Sequence, residues 1–132
     1  MYFSTHLVAG AAVGKIVGSP SLAVLLGLGT HLVMDMLPHH DYKHIINGII
    51  DFIVGFSILS YLYWTSGNIV LLFGAIAATI PDVEVVISRF RNKRIKYFPS
   101  HTGFVPHGRA ISPWGIYTQI IFIILMLVVL SH

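Results

Sequence analysis

Residues 30–41 read THLVMDMLPHHD, and they place three histidines and two acids directly after a long apolar run. His31 and Asp35 are four residues apart, so on a helix they lie on one face. Pro38 ends that helix, and the other two histidines and the second acid follow in the turn. The whole chain has only five acids and eight histidines. Such a grouping in so apolar a protein indicates metal binding.

Composition places the chain among membrane proteins. Its 132 residues are 55% hydrophobic and 10% charged, with a mean hydropathy of +0.81. A soluble core of this size has no room for so many large apolar side chains, and the length predicts a single domain, residues 1–132. The chain has no cysteine, which excludes disulfides and leaves nitrogen and oxygen as the ligands of any metal.

Five apolar segments predict an all-α fold, a polytopic bundle of about five membrane helices. The first segment is short for a span, which needs about 20 residues, and Pro81 should kink the fourth. Gly10, Gly14 and Gly18 repeat every four residues and allow another helix to approach closely. We expect that helix to be the second segment, in a hairpin, although a glycine face would also suit a homo-oligomer. The predicted segments are 3–18, 21–37, 45–64, 69–90 and 114–130.

Acids and histidines recur at one end of these segments. The hairpin would bring His6 near His31 and Asp35, while Asp51 and Asp82 enter the same layer from the third and fourth segments. Hydrocarbon has no water to satisfy an unpaired carboxylate, so ionisable residues inside a membrane usually mark function. These five residues are the leading candidate metal ligands.

Simpler explanations compete with metal ligation. His31 and Asp35 would also satisfy each other through a local hydrogen bond, since they share a helix face. Asp51 and Asp82 would be neutralised by salt bridges to Arg109 or Lys43. Each of these explanations removes the cost of a buried charge without any ion.

Two loops add further candidates. In the first, we expect His39 or His40 to be a ligand, whereas Asp41 is explained equally well as the N-cap of the third helix. In the second loop, His101 and His107 lie among glycine and proline residues. They could be metal ligands, substrate contacts or ordinary exposed residues. An acid or a histidine beside a metal-bound water can act as a general base. The candidate catalytic residues are Glu84, His101 and His107.

The distribution of charge predicts the orientation. Counting crossings places every acid, every histidine except His132 and every basic residue except Lys15 on or near one side. The positive-inside rule makes that side cytoplasmic, with the N-terminus and the metal site there and the C-terminus outside. A polar loop at about 89–113 begins with the basic stretch 89–96, which suits anionic lipid head groups better than nucleic acid. We therefore expect an integral protein of a prokaryotic inner membrane.

A metal held by histidine and aspartate with an open coordination position supplies hydroxide near neutral pH. The candidate ligands suffice for one or two divalent ions, with zinc first and manganese, iron or nickel as alternatives. The leading hypothesis is hydrolysis of a phosphoester in a lipid or another substrate near the membrane. The main alternative is a non-catalytic membrane module that binds a regulatory or partner protein, with a structural metal. A third, ion conduction or metal transport, lacks polar residues that reach the far side.

The motifs resemble a known family, the membrane-bound metal-dependent hydrolases that include the LexA-binding, inner-membrane-associated proteins. The resemblance covers most of the chain in order, through THxxxG at 5–10, HLVMDMLPHHD at 31–41 and the PD pair at 81–82. It implies a metal-dependent hydrolase in which Glu84 is the acid after the PD pair. Where the family usually has an HRG…THS stretch, this chain has SHTGFVPHGR at 100–109. The HxxxD helix also looks like part of the zinc site of phospholipase C and P1-type nucleases, which implies phosphoester hydrolysis.

Overall fold

The computed structural model describes residues 1–91, 93–94 and 96–132, and over these residues the chain is helical, with seven helices and no strand. An all-α fold is therefore confirmed. The helices are α1 (Phe3–Val17), α2 (Pro20–Asp35), α3 (Ile45–Ser66), α4 (Val70–Thr79), α5 (Asp82–Arg91), α6 (Pro99–Thr102) and α7 (Trp114–Ser131).

The central helix is α1. It packs against α2, α3, α4 and α7, and every side chain from 4 to 12 is buried. Leu7, Val8 and Leu71 belong to the apolar core that α1 forms with its neighbours. Small residues along α1 let four helices surround it, and this arrangement carries His6 to a position with no exposed surface.

The contact between α1 and α4 depends on glycine. A Cβ atom at Gly10 would lie 2.3 Å from the carbonyl oxygen of Gly74, and one at Gly14 would lie 2.5 Å from that of Val70. The expectation that these glycines face α2 is therefore wrong, because their backbone contacts are with α4. Gly18 lies outside the packing face, since it ends α1 in the left-handed conformation with φ of 63°.

Two helices, α3 and α7, are long and apolar enough to cross a membrane. The pair α4 and α5 provides a third if the bent pair is one span, whereas α1 and α2 are shorter apolar helices of 15 and 16 residues. The described residues thus have two or three candidate spans, as a membrane protein requires. The short first helix agrees with the expectation, and the second helix is short as well.

The predicted kink at Pro81 is present, and it divides the fourth segment into two helices. The axes of α4 and α5 differ by 43° across the break. Proline causes the break because it has no N–H and its ring clashes with the preceding turn. As a result, Asp82 lies in the first turn of α5, beside the buried end of α1 and α2.

The long polar loop begins later than predicted, because α5 continues to Arg91. After α6 the chain returns to the end of α2, where the N–H of Gly108 donates to the carbonyl of Asp35 at 2.7 Å. A bridge between His39 and Ala110 then joins the two loops. This return of the chain brings both loop histidines, His101 and His107, to the acids and histidines of the helices.

Candidate metal centre

The carboxylate of Asp35 lies at the centre of the site, with only 1% of its side chain exposed. Its Oδ1 is 3.2 Å from Nε2 of His6, and its Oδ2 is 3.1 Å from Nε2 of His31 and 3.3 Å from Nε2 of His101. The hydroxyl of Ser100 donates to Oδ2 at 2.7 Å. Side chains from α1, α2 and α6 therefore meet at one carboxylate.

Three groups of donor atoms among the described residues have the spacing of metal ligands, with all atoms of a group within 4.8 Å of one another. Four donors at about 2.1 Å from one zinc ion lie about 3.4 Å apart in a tetrahedral arrangement, which is close to the distances around Asp35. The first two groups share a histidine and so describe one centre, beside which the third group lies. The groups are His6–His31–Asp82, His31–Asp35–His101 and His39–Asp41–His107.

Several donor atoms of the inner centre are buried without a hydrogen-bond partner among the described residues. They are both ring nitrogens of His6, Nε2 of His31, Oδ1 of Asp35 and Oδ2 of Asp82. His6 and Asp35 are within 3.2 Å of each other, yet their alignment is not that of a hydrogen bond. A buried polar atom without a partner costs about 1–3 kcal/mol. A divalent cation here would take one nitrogen from each histidine together with the carboxylate oxygens, so the donor set fits a metal ion.

Hydrogen bonds fix the orientation of two of the rings. Nδ1 of His31 lies 2.7 Å from the carbonyl oxygen of Ala78, and Nδ1 of His39 lies 2.7 Å from that of Leu37. A carbonyl oxygen only accepts, so in both residues Nδ1 carries the proton, and in the neutral ring the lone pair is then on Nε2. Metal-binding histidines in proteins are commonly held this way.

Glu84 lies behind His101 rather than beside the central carboxylate. Its Oε1 is 2.5 Å from Nδ1 of His101, and its carboxylate also accepts the N–H groups of Tyr97 and Phe98. Burial lowers the pKa of His101, but the hydrogen bonds to Asp35 and Glu84 outweigh burial and hold that pKa above its usual value. The carboxylate orients the ring so that Nε2 faces Asp35.

The outer group consists of His39, Asp41 and His107. His39 Nε2 lies 3.3 Å from Asp41 Oδ1, and the proximity of this histidine, together with the N-terminal ammonium, lowers the pKa of Asp41. The explanation of Asp41 as a helix cap is wrong, because the N-cap of α3 is His44. His107 is 38% exposed and its Nδ1 is 3.8 Å from Asp35 Oδ2, so the outer group connects the buried centre with the surface.

Two predicted ligands lie outside these groups. Asp51 accepts the N–H of Ser4 at 2.9 Å, the hydroxyl of Ser4 at 2.5 Å and the hydroxyl of Tyr42. These donors satisfy the Asp51 carboxylate and tie the start of α1 to α3. The carbonyl of His40 accepts from Gln119 at 3.3 Å, and its ring belongs to none of the three groups among the described residues.

Neither salt bridge considered from the sequence is present. Among the described residues, no ion pair joins Asp51 or Asp82 to Arg109 or Lys43. The hydrogen bond between Ser100 and the central carboxylate escaped sequence analysis. A single serine before a histidine carries no distinctive signal, and only the return of the chain reveals its role.

A cavity of about 840 Å³ connects this site with the outside, between α3 and α5. Asp82, Ser100, His101 and His107 line its polar end. Cavities of about 300–1,000 Å³ are typical of small-molecule sites. Asp82, His101 and His107 are therefore within reach of a substrate, whereas His6, His31 and Asp35 are enclosed behind them.

Comparisons with known proteins do not assign a function to this site. No family model, no curated protein and no solved structure matches the chain. Any functional conclusion therefore depends on the buried donor atoms, the outer group and the cavity between α3 and α5.

Proposed function

We propose that the protein is a membrane-embedded, metal-dependent hydrolase that cleaves a phosphoester in a lipid or another substrate at the membrane surface. One observation carries this proposal: buried histidine and aspartate atoms without hydrogen-bond partners converge beside a cavity that opens to the outside. In hydrolysis, water adds to phosphorus and the ester oxygen leaves as an alcohol. The proton that the water loses must be accepted, and the alcohol must be protonated.

The residues around Asp35 would hold the ion. His6, His31 and His101 supply nitrogen atoms, and Asp35 and Asp82 supply carboxylate oxygens that balance the positive charge. Such a set suits one or two divalent ions, zinc first and manganese, iron or nickel next. When bound, the cation supplies a water of lowered pKa and neutralises charge on the phosphoester.

His107 is the candidate proton acceptor. Burial lowers its pKa below the usual histidine value, so at neutral pH the ring is unprotonated and able to accept a proton. The ring lines the cavity and is partly exposed, so a substrate can approach it. Glu84 would position His101, and His39 and Asp41 would hold a second ion or contact the substrate.

The same proposal includes a membrane arrangement. In this proposal five apolar segments cross a prokaryotic inner membrane, with α4 and α5 as one bent span, the N-terminus and metal centre at the cytoplasmic face and the C-terminus outside. The basic residues near the end of α5 support this orientation through the positive-inside rule. The short helices α1 and α2 would span with help from local thinning of the bilayer.

A second candidate function is that of a non-catalytic membrane module with a structural metal, which binds a regulatory or partner protein. One observation favours it: His6, His31 and Asp35 have at most 1% of their surface exposed. Structural metal sites are closed, whereas catalytic sites keep a position open for water. Stoichiometric metal without turnover would identify this second function.

The test compares two aspartates of the same layer. Asp35→Asn keeps the shape of the side chain but removes the charge at the centre, so we expect metal content to fall at least tenfold and phosphoesterase activity to be lost. Asp51→Asn should keep its metal, because Asp51 is held by Ser4 and Tyr42. Metal content is measured by elemental analysis, and activity on lipid phosphates and soluble phosphodiesters. Full activity of Asp35→Asn would exclude this metal centre.

A further inference from the structure

The cavity between α3 and α5 has an apolar part and a charged part. Its apolar walls are formed by Ile45, Ile49 and Phe52 of α3 and by Val85 and Val86 of α5. On α3 these residues recur at intervals of three and four, so they form one face of the helix. The face is open, since Ile49 is 48% exposed and Val86 is 51% exposed.

The apolar walls lie where a lipid chain can enter from the side. The helix α3 is long and apolar enough to cross a membrane, and its exposed apolar side chains therefore meet hydrocarbon. A ligand that already resides in the bilayer reaches the cavity without crossing water. The cavity volume of about 840 Å³ is in the usual range for ligand sites.

The charged side chains that line the cavity are three basic ones and two acidic ones, Asp41 and Asp82. Arg89, Arg94 and Lys96 line it together with the apolar walls. No carboxylate among the described residues forms an ion pair with any of the three. Arginine and lysine at a membrane surface attract anionic lipid head groups.

The basic side chains and the metal centre meet along α5. Asp82 and Arg89 both line the cavity and are seven residues apart, which is about 10 Å along a helix. Residues seven apart lie on the same face, two turns from each other. An anionic group bound between Arg89 and Asp82 would therefore face both the basic residues and the metal centre.

We propose, building on the function proposed above, that this cavity binds an anionic glycerophospholipid as the substrate. Its acyl chains lie against α3 and α5, and its phosphate lies between the basic side chains and the metal centre. The occupant must be both apolar and anionic to match both parts of the cavity. A second copy of this chain matches less well, because it has eight basic side chains against five acidic ones and would bring like charge to the basic side chains of the cavity.

The experiment uses the full-length protein in phosphatidylcholine vesicles that contain a small fraction of photoactivatable phosphatidate. Light attaches the acyl chain to the nearest residues, and mass spectrometry locates the adducts. We expect adducts on the apolar walls formed by α3 and α5. Excess unlabelled phosphatidate should displace the label, whereas phosphatidylcholine should not. Adducts spread evenly over α3 and α7 would overturn the proposal, as would crosslinks between two copies through this face.

Two matched pairs of variants test the two parts of the cavity. Ile49→Trp fills the apolar part and should abolish labelling, whereas Ile50→Trp, similarly exposed but outside the cavity, should leave it unchanged. Arg89→Gln should lower labelling about fivefold, whereas Arg91→Gln, outside the cavity, should not. Circular dichroism checks that each variant is folded. If Ile49→Trp is unfolded, the comparison of Arg89→Gln with Arg91→Gln still tests the proposal. Equal effects within both pairs would contradict the proposal.

Failure of this inference is distinguishable from failure of the proposed function. If phosphatidate labels the cavity but no substrate is hydrolysed, lipid binding stands and the hydrolase assignment falls. If soluble phosphodiesters are hydrolysed while labelling does not depend on Ile49 or Arg89, the hydrolase assignment stands and lipid binding falls.

Discussion

At the scale of single residues, the geometry of the site depends on which ring nitrogen of each histidine is held by a hydrogen bond and which one faces Asp35. A carbonyl holds Nδ1 of His31, and a carboxylate holds Nδ1 of His101. Both rings therefore direct Nε2 towards Asp35. Such outer partners set the orientation and the basicity of metal ligands. We conclude that Glu84 contributes to the centre through His101.

This role of Glu84 leads to a prediction about affinity. The change Glu84→Gln removes the charge that His101 and two backbone N–H groups share, so the ring is held less firmly. We expect zinc affinity to fall about 10- to 100-fold, as measured by competition with a chelator at constant pH. Asp51→Asn is the control and should keep its affinity. Unchanged affinity with lost turnover would instead assign Glu84 as the general base.

The spacing of residues in the sequence predicted part of this site but not all of it. His31 and Asp35 could be paired from the sequence because they are one helical turn apart, and the hairpin correctly brought His6 to them. In the sequence Asp51 resembled Asp35, since both are acids in apolar segments. In the structure Ser4 and Tyr42 donate hydrogen bonds to Asp51, and no local sequence pattern predicts donors so far along the chain. Long-range contacts, not helical periodicity, distinguish the candidate ligand Asp35 from the structural acid Asp51.

At the scale of helices, backbone contact between α1 and α4 holds the buried part of the bundle together. A Cβ atom at Gly74 would lie 2.2 Å from the carbonyl oxygen of Gly10. Small residues every four positions predicted that some helix would approach α1 closely. They could not predict which helix, because α2 and α4 both carry small residues four positions apart, Ala23 and Gly27 in α2 and Gly74 and Ala78 in α4.

The prediction at this scale compares two glycines. Gly74→Ala forces α1 and α4 apart and should lower the free energy of unfolding by about 1–3 kcal/mol, the usual cost of overpacking. Gly29→Ala is the control, because a Cβ atom there meets nothing within 4 Å. Unfolding in mixed micelles, followed by circular dichroism, measures both. Equal losses of stability would contradict the close contact.

At the scale of the whole molecule, apolar surface and charge are separated. The helices α3 and α7 expose large apolar side chains along their length, such as Ile53 at 58% and Ile121 at 56%. Basic residues instead gather near the end of α5 and in the chain that follows it. Membrane proteins orient themselves by this asymmetry.

The orientation can be tested with reporters. We expect a reporter fused to the C-terminus to be active only outside the cytoplasm, since the charged loops should remain inside. A cysteine introduced at Lys93 should be labelled in inside-out vesicles and protected in intact cells. Labelling of that position from outside intact cells would contradict the arrangement, as would a C-terminal reporter active only in the cytoplasm.

The break at Pro81 would also couple the backbone to an ion held by His31. Ala78 lies in the last turn of α4, where helical carbonyls lack N–H partners, and its carbonyl accepts the proton of His31. Because that carbonyl orients His31, an ion held by His31 would be thermodynamically linked to the bend between α4 and α5. A change that straightens the bend would weaken binding of such an ion, and the ion would in turn stabilise the bend.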